Sequence, residues 1–265
     1  MTSRQNALVK RFRALAQQRS AGDPAVLLDG AHLVEEALAS RVTLETAVFS
    51  ETAANERLAP LLDRVARSGT RVVVASDAVF PAVSPVQHPS GVAAIAQVTT
   101  RRLEEVLGVG PHLLLMLDGV QDPGNLGAII RVAEGCGATA VIVGDGSADA
   151  FGWKALRAAM GSSLRLPIAQ RVKMVEAVKV VKDMGTRVLA AVPRNGTALP
   201  ECDFRQATAL LLGGEGAGIS NDLLRAADAT LTIPMMPPVE SLNVAIASAL
   251  VLYEASRQRA HVAVR

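Results

Sequence analysis

Five apolar runs in the second half of the chain constrain its architecture more than any other feature. They are "HLLLMLD" (112–118), "TAVIVGD" (139–145), "RVLAAVP" (187–193), "TALLLGG" (208–214) and "ATLTIP" (229–234), with helical stretches between most of them. Strands that lack polar alternation are buried on both faces, so the pattern predicts an α/β unit whose mostly parallel sheet is covered on each side. Crevices at the carboxyl ends of such strands are the usual ligand sites.

The first half alternates differently. "AVLLDG", "TAVFS", "RVVVAS" and "GVAAIAQV" read as strands, "AHLVEEALAS" and "NERLAPLLDRVARSG" as helices, and "FPAVSPVQHPSG" as a loop that ends pairing. This makes a smaller α/β domain of roughly 95 residues. "TTRRLEEVLGVGPH" (99–112) is polar, holds one short helix and stops at Gly-Pro, so it is the best boundary. The expected division is a domain at 1–98, a linker at 99–111 and a second domain at 112–265.

Residues 1–22 carry Arg4, Lys10, Arg11, Arg13 and Arg19 and no acid, while Leu8, Phe12 and Leu15 fall on one helical face. That helix is either an ordinary solvated one or a contact for phosphates. The whole chain has net charge +2 and only 3% aromatic residues, which excludes a polycation and leaves little scope for base stacking. Cys136 and Cys202 form no CxxC pair, and four scattered histidines (His32, His88, His112, His261) offer no ligand spacing, so no metal is expected. No apolar run approaches a membrane span and the first residues lack a signal-peptide core, so a cytoplasmic protein with no membrane contact is expected.

Three stretches carry polar residues that ask for a chemical reading. In "LDGVQDPGNLGAIIRVAEGCGA" (117–138) a strand breaks at Asp118-Gly119, passes a Pro-Gly turn and enters a helix bearing Asn125 and, six residues on, Arg131. A straight helix does not put both on one spot, so either they are surface residues or the turn bends Asn125 back. "LLLGGEGAGISNDLL" (210–224) places Gly214, Gly216 and Gly218 after a strand. Too little chain follows to complete a Rossmann domain, and no Gly-Lys-Ser/Thr follows, which leaves a loop that approaches a flat ligand with Glu215 inside it, or a plain turn needing positive φ. In "IPMMPPVESLNVAIASALVLYEASRQR" two prolines force an extended loop. Ser241 is a good N-cap for the last helix, and Arg257 and Arg259 complement its negative end.

Taken in order, the three stretches resemble the three motifs of the SpoU (TrmH-like) branch of the SPOUT RNA methyltransferases. The likeness covers Asn125-x-Gly127-x-x-x-Arg131, "LLLGGEGAGIS" and "IPMMPPVESLNVAIASALVLYEA". "LRAAMGSSLRLPI" is similar to the family's segment between the first two motifs. "LVKRFRALAQQRS…VLLDGAHLVEEAL" resembles the substrate-binding domain that often precedes the catalytic one and is related to kink-turn-binding ribosomal proteins. Cys136 stands where an aromatic residue is common.

The resemblance implies a trefoil knot in the C-terminal region, contrary to the general absence of threaded chains. It implies a homodimer, and S-adenosylmethionine held largely by main-chain groups at Leu212, Gly213, Gly214, Ile233, Met235 and Leu242. The implied reaction is methyl transfer to a ribose 2′-hydroxyl of structured RNA, most readily 23S ribosomal RNA. A transfer-RNA methyltransferase, or a non-catalytic RNA-binding protein keeping the fold, are the alternatives. Asn125, Arg131, Glu215, Ser241 and Asn243 are the implied catalytic residues. Arg131 is unsuited to be a free base, because guanidinium stays protonated; binding a phosphate and a developing alkoxide suits it better. Glu215 is expected to pair with Arg131, to accept backbone N–H bonds or to face the sulfonium. Arg4, Lys10, Arg11, Arg13 and Arg157 are the candidate RNA contacts, although a surface ion pair explains Arg157 equally well. Trp153 is read as a packing residue at the dimer contact or a stacking surface for a base.

Overall fold

In the computed structural model, which describes residues 1–17, 19, 22–108, 112–216 and 218–263, the elements follow the alternation of the sequence closely. The order is α1 (Ala7–Gln17), β1 (Ala25–Asp29), α2 (Ala31–Ala39), β2 (Thr43–Ser50), α3 (Glu51–Asn55), α4 (Ala59–Arg67), β3 (Arg71–Ala75) and β4 (Val92–Gln97). Then come α5 (Leu103–Val106), β5 (Leu113–Asp118), α6 (Pro123–Gly135), β6 (Ala140–Gly144), α7 (Trp153–Ala159), α8 (Ser162–Arg165), β7 (Ile168–Val172) and α9 (Met174–Asp183). The chain continues through β8 (Arg187–Ala191), β9 (Thr197–Ala198), β10 (Thr208–Gly213), α10 (Asn221–Ala226), β11 (Ala229–Thr232) and α11 (Val244–Ala263). Positions 109–111 of the expected linker, Ala217 in the glycine loop and the side chain of His261 lie outside the described residues.

Two units form. One comprises Met1–Thr100 together with Phe151–Arg165; the other comprises Arg101–Ala150 together with Leu166–Arg265. The first is built on a four-stranded sheet of order β1-β4-β2-β3, antiparallel except for the β2–β3 pair. α1 packs on it through Val9 and Phe12, both fully buried, with Leu8 and Leu15 alongside. Periodicity alone pointed to Phe12 and missed Val9. The helix expected at 55–69 begins only at Ala59, with Pro60 in its first turn, and a separate short helix, α3, precedes it.

α7 and α8 belong to this first unit. Arg157 Nη1 donates to Asp29 Oδ2 at 2.8 Å, and Ser84 Oγ donates to the other carboxylate oxygen at 2.6 Å, so Asp29, buried at the end of β1, is fully partnered. Arg165 pairs with Glu36, and Trp153 Nε1 donates to the Ala16 carbonyl at 2.9 Å. A buried carboxylate needs such partners, since an unpaired charge in an apolar setting costs several kcal/mol.

The second unit holds a seven-stranded sheet of order β7-β6-β5-β10-β8-β11-β9, parallel at every pairing. Leu113–Leu117 of β5 are all buried, and burying such side chains contributes about 1.5–3 kcal/mol each. Leucine and methionine favour helix intrinsically, but a central strand covered on both faces uses them well. β7 and β9 were not read from the sequence. β9 is two residues long, and β7 has polar Gln170 and Arg171 where a run of apolar residues would have signalled a strand.

α11 packs on α6, with Val244, Ser248, Val251, Leu252 and Ala255 buried. Its basic end does more than offset the helix dipole. Arg259 donates to the carbonyls of Phe204 at 2.8 Å and His112 at 2.9 Å, which fastens the helix to the start of β5. Among the described residues no helix is long and apolar enough to cross a membrane.

Candidate active site

The parallel pairing aligns the carboxyl ends of β5, β10, β8 and β11 along one edge of the second unit's sheet, with Gly213 in register with Asp118. Each of the three polar motifs leaves the sheet or enters a helix at that edge.

α6 begins at Pro123, with Asp122 as its N-cap: the Asp122 carboxylate accepts the Asn125 N–H at 2.7 Å. The Pro-Gly pair is therefore not a separate turn. Proline tolerates the first helical position, where its missing N–H has no partner to lose. Asn125 thus sits in the first helical turn and is not bent back. Arg131 lies farther along the same regular helix, exposed, roughly 9 Å along its axis from Asn125 at 1.5 Å per residue. Arg131 makes no hydrogen bond or ion pair to the described residues.

The glycine loop presents Glu215 to Asn125. Glu215 Oε1 accepts from Asn125 Nδ2 and, at 3.3 Å, from Asn243 Nδ2, while Asn243 Nδ2 also lies 3.3 Å from Asn125 Oδ1. Of the roles considered for Glu215, neither pairing with Arg131 nor accepting backbone N–H bonds occurs among the described residues, where it joins two asparagines. Its position also suits a carboxylate, because Asn125 and Asn243 mark the positive ends of α6 and α11.

The cap of α11 is Asn243 rather than Ser241. Asn243 Oδ1 accepts the N–H groups of Ala245 at 2.9 Å and Ile246 at 3.3 Å. Ser241 is exposed two residues upstream, too early to reach those N–H groups, and joins none of these contacts.

Gly213 and Gly214 have a different reason to be glycine from the one the sequence suggested. A Cβ on Gly214 would come within 1.7 Å of the Gly119 carbonyl oxygen, and one on Gly213 within 2.3 Å of Gly218 C. Backbone packs closely against both, and the Gly214 N–H donates to Asp118 O at 2.7 Å. Gly216 and Gly218 face open space but have φ of +98° and +65°, so they serve the turn itself.

The loop that leads from β11 towards α11 lines a cleft of about 520 Å³, in the range of small-molecule sites, with Pro193, Arg194, Thr232, Ile233, Met235 and Glu240 among its walls. Ile233 and Met235 were expected cofactor contacts. Leu212 is buried and Leu242 half-buried at the ends of the same motifs. Arg194 and Glu240 were not read from the sequence; they face each other across the rim at 3.1 Å. Asp118 was also passed over as a mere strand end. Its carboxyl is pushed above the usual range, first by burial and then by the carboxylate of Asp145.

A family model for the SpoU rRNA methylases matches residues 112–253, which include all three motifs. The chain belongs to the SpoU rRNA methylase family. Residues 6–94 match an MRM3-like substrate binding domain. Among curated relatives of this family, the chain is 37% identical over 228 residues to the 23S rRNA (guanosine(2553)-2′-O)-methyltransferase RlmP of Bacillus subtilis, covering 86% of each. It is 34% identical to the 23S rRNA (guanosine-2′-O-)-methyltransferase RlmB of a Burkholderia species, covering 88% of this chain and 96% of that one. Among solved structures, an AdoMet-bound rRNA methyltransferase from Sinorhizobium meliloti superposes with a TM-score of 0.85 at 31% identity, covering 97% of both chains. The SpoU methyltransferase AviRb from Streptomyces viridochromogenes, in complex with AdoMet, gives 0.86 at 27% identity and covers 97% of this chain and 99% of that one.

The candidate RNA contacts of the first unit are mostly engaged. Arg4 donates to Ala78 O at 2.9 Å, Arg13 to Ala82 O at 3.2 Å, and Arg11 forms a two-pronged pair with Glu45. Arg157 has its ion pair with a buried carboxylate, not a surface one. Lys10 is exposed and without such a contact to the described residues.

Proposed function

We propose that this chain is an S-adenosylmethionine-dependent RNA 2′-O-ribose methyltransferase whose substrate is 23S ribosomal RNA, acting in the cytoplasm as a homodimer. The observation that carries the reading is the Asn125–Glu215–Asn243 junction, which joins all three family motifs at the carboxyl edge of a parallel sheet. In this reading residues 1–98 together with the 151–165 insert select the RNA, 99–111 connect, and the rest of 112–265 carries the chemistry.

The residues present fit the cofactor. The cleft walls offer apolar side chains (Ile233, Met235) and rigid proline backbone, and in this reading Leu212, Gly213, Gly214 and Leu242 add main-chain contacts to the cofactor. Bound there, S-adenosylmethionine would supply an electrophilic methyl group for transfer to a ribose oxygen.

The chain's own residues then have three tasks. Glu215, gripping Asn125 and Asn243, fixes the starts of α6 and α11 so that positioning contributes much of the rate. Ser241, exposed beside Asn243, hydrogen-bonds the ribose. Arg131, charged and uncommitted, binds the phosphate next to the target ribose and stabilises the 2′-oxygen as its proton leaves to that phosphate or to water.

Dimerisation completes the site in this proposal. Ile246, Leu250 and Tyr253 form one exposed apolar face of α11, 54%, 43% and 67% accessible, and a second copy covers such a face economically in a two-fold contact. The knot is proposed as well: its support is β10 lying between β5 and β8, with the segment after it packed tightly on residues 119–120.

The test is transfer of radiolabelled methyl from S-adenosylmethionine to ribosomal RNA, followed by mapping of 2′-O-methyl positions. Wild type is expected to label one nucleotide of 23S RNA, and Arg131→Lys to lose about 100-fold in turnover while keeping its melting temperature. Near-normal turnover of the lysine variant would remove Arg131 from the reaction.

A further inference from the structure

The first unit contains a second cleft, of about 360 Å³, for which the transfer reaction has no use. Its walls include Arg13 and Gln17 from the end of α1, Pro81, Ser84 and Pro85 from the loop before β4, and Trp153 at the start of α7. Two of these side chains are anchored at one polar atom each, with Trp153 also packed in part against the first unit's core. Trp153 spends its only polar atom on the Ala16 carbonyl, so the indole is held in place and offers the cleft hydrocarbon. Arg13 is held through Nε by Ala82 O at 3.2 Å, and its two Nη groups make no hydrogen bond to the described residues. Ser84 is not an outward donor, because Asp29 takes its hydroxyl proton. Lys154, exposed, places its ammonium 5.6 Å from the indole centroid and adds positive charge at the rim.

An immobilised aromatic plane, a guanidinium fork with spare donors and a second cation form a site for a flat, anionic ligand. Unpaired nucleotides fit that description: their bases stack on aromatic side chains and their phosphates take bidentate arginine. We infer that this cleft binds one unpaired nucleotide of a single-stranded RNA segment, its base stacked on Trp153 and its phosphate held by Arg13. The inference rests on the RNA-substrate reading and deepens it, since it assigns the first unit a single-strand contact separate from the methylated ribose.

Trp153 is the chain's only tryptophan, so intrinsic fluorescence reports this site alone. The full chain is titrated with a mixed-sequence single-stranded RNA octamer, reading tryptophan emission. The same octamer, fluorescein-labelled, is followed in parallel by anisotropy. Stacking predicts quenching, with a midpoint equal to the anisotropy Kd. Arg13→Gln and Trp153→Phe, each checked for an unchanged melting curve, should weaken binding by about five-fold or more. Unchanged emission while anisotropy shows binding overturns the inference. So does absence of binding, or equal quenching by the duplex form or by a proline-rich peptide. Methyl transfer is measured separately, so a null here leaves the transferase reading standing.

Discussion

Asn125 and Asn243, 118 positions apart, meet at 3.3 Å and share the carboxylate of Glu215. Each does two jobs. Asn125 is in the capped first turn of α6, and Asn243 caps α11 with Oδ1 while its Nδ2 reaches the other two residues. The junction is thus built from helix-start groups that folding already requires to be ordered.

Asn243 variants separate these jobs. Asn243→Ala removes cap and junction and should lower stability by about 1 kcal/mol along with methyl transfer. Asn243→Asp keeps a good cap but sets a second carboxylate against Glu215, so methyl transfer should fall at least as far while the cap's share of stability survives. Thermal melting and single-turnover kinetics on both variants check this; equal losses of stability would refute the division.

The two kinds of glycine in the loop predict different costs. Gly214→Ala drives a methyl into the Gly119 carbonyl and should destabilise by about 3 kcal/mol, the upper end for overpacking. Gly216→Ala meets no neighbour and should cost about 1 kcal/mol, from its positive φ alone. Urea denaturation of the two variants measures the difference.

Asp118 makes stability depend on pH. Its folded pKa is raised by burial and by Asp145, so the folded state holds this proton more tightly than the unfolded chain does. Stability should therefore fall as pH rises from the ordinary aspartate range through the raised folded value. Asp118→Asn should abolish that fall and melt higher than wild type at neutral pH, but not below pH 4. A melting series from pH 3.5 to 8 tests it, and parallel profiles for both proteins would count against it.

The exposed face of α11 predicts the oligomeric state. Wild type should sediment at twice the mass of the chain, and Ile246→Glu combined with Leu250→Glu should sediment at the mass of one. Loss of methyl transfer with the dimer, at unchanged cofactor affinity, would show that the partner completes the RNA side of the site.

Much of this was legible in the residues. The five apolar runs of the second unit are strands because nothing interrupts them, and even leucine-rich Leu113–Leu117 was readable from its place between turns. The errors have local causes. Pro123-Gly124 read as a turn because both residues favour turns, yet the Asp before proline is also a helix start. Ser241 and Asn243 are both good caps, and only coordinates show which one the last helix uses. Glu215 was found through its motif, and the family resemblance gathers it with Asn125 and Asn243, but the hydrogen bonds that join them were not legible, since residues 90 and 28 positions away leave no periodic trace. Arg157 shows the opposite limit: its partner Asp29 lies 128 residues back, so an ion pair and an RNA contact explained it equally well, and nothing in the sequence pointed to a buried carboxylate.

Residues Phe151–Arg165 fold with the first unit although the chain before and after them belongs to the second. The polypeptide consequently crosses between units at 100–101, 150–151 and 165–166, not at one hinge. A cut after residue 98 would strip Phe151, Ala155, Leu156 and Ala159 of their packing partners and leave Arg157 without Asp29. The N-terminal module is therefore not a detachable cassette: any chimera that trades one specificity for another must carry the 151–165 insert with it.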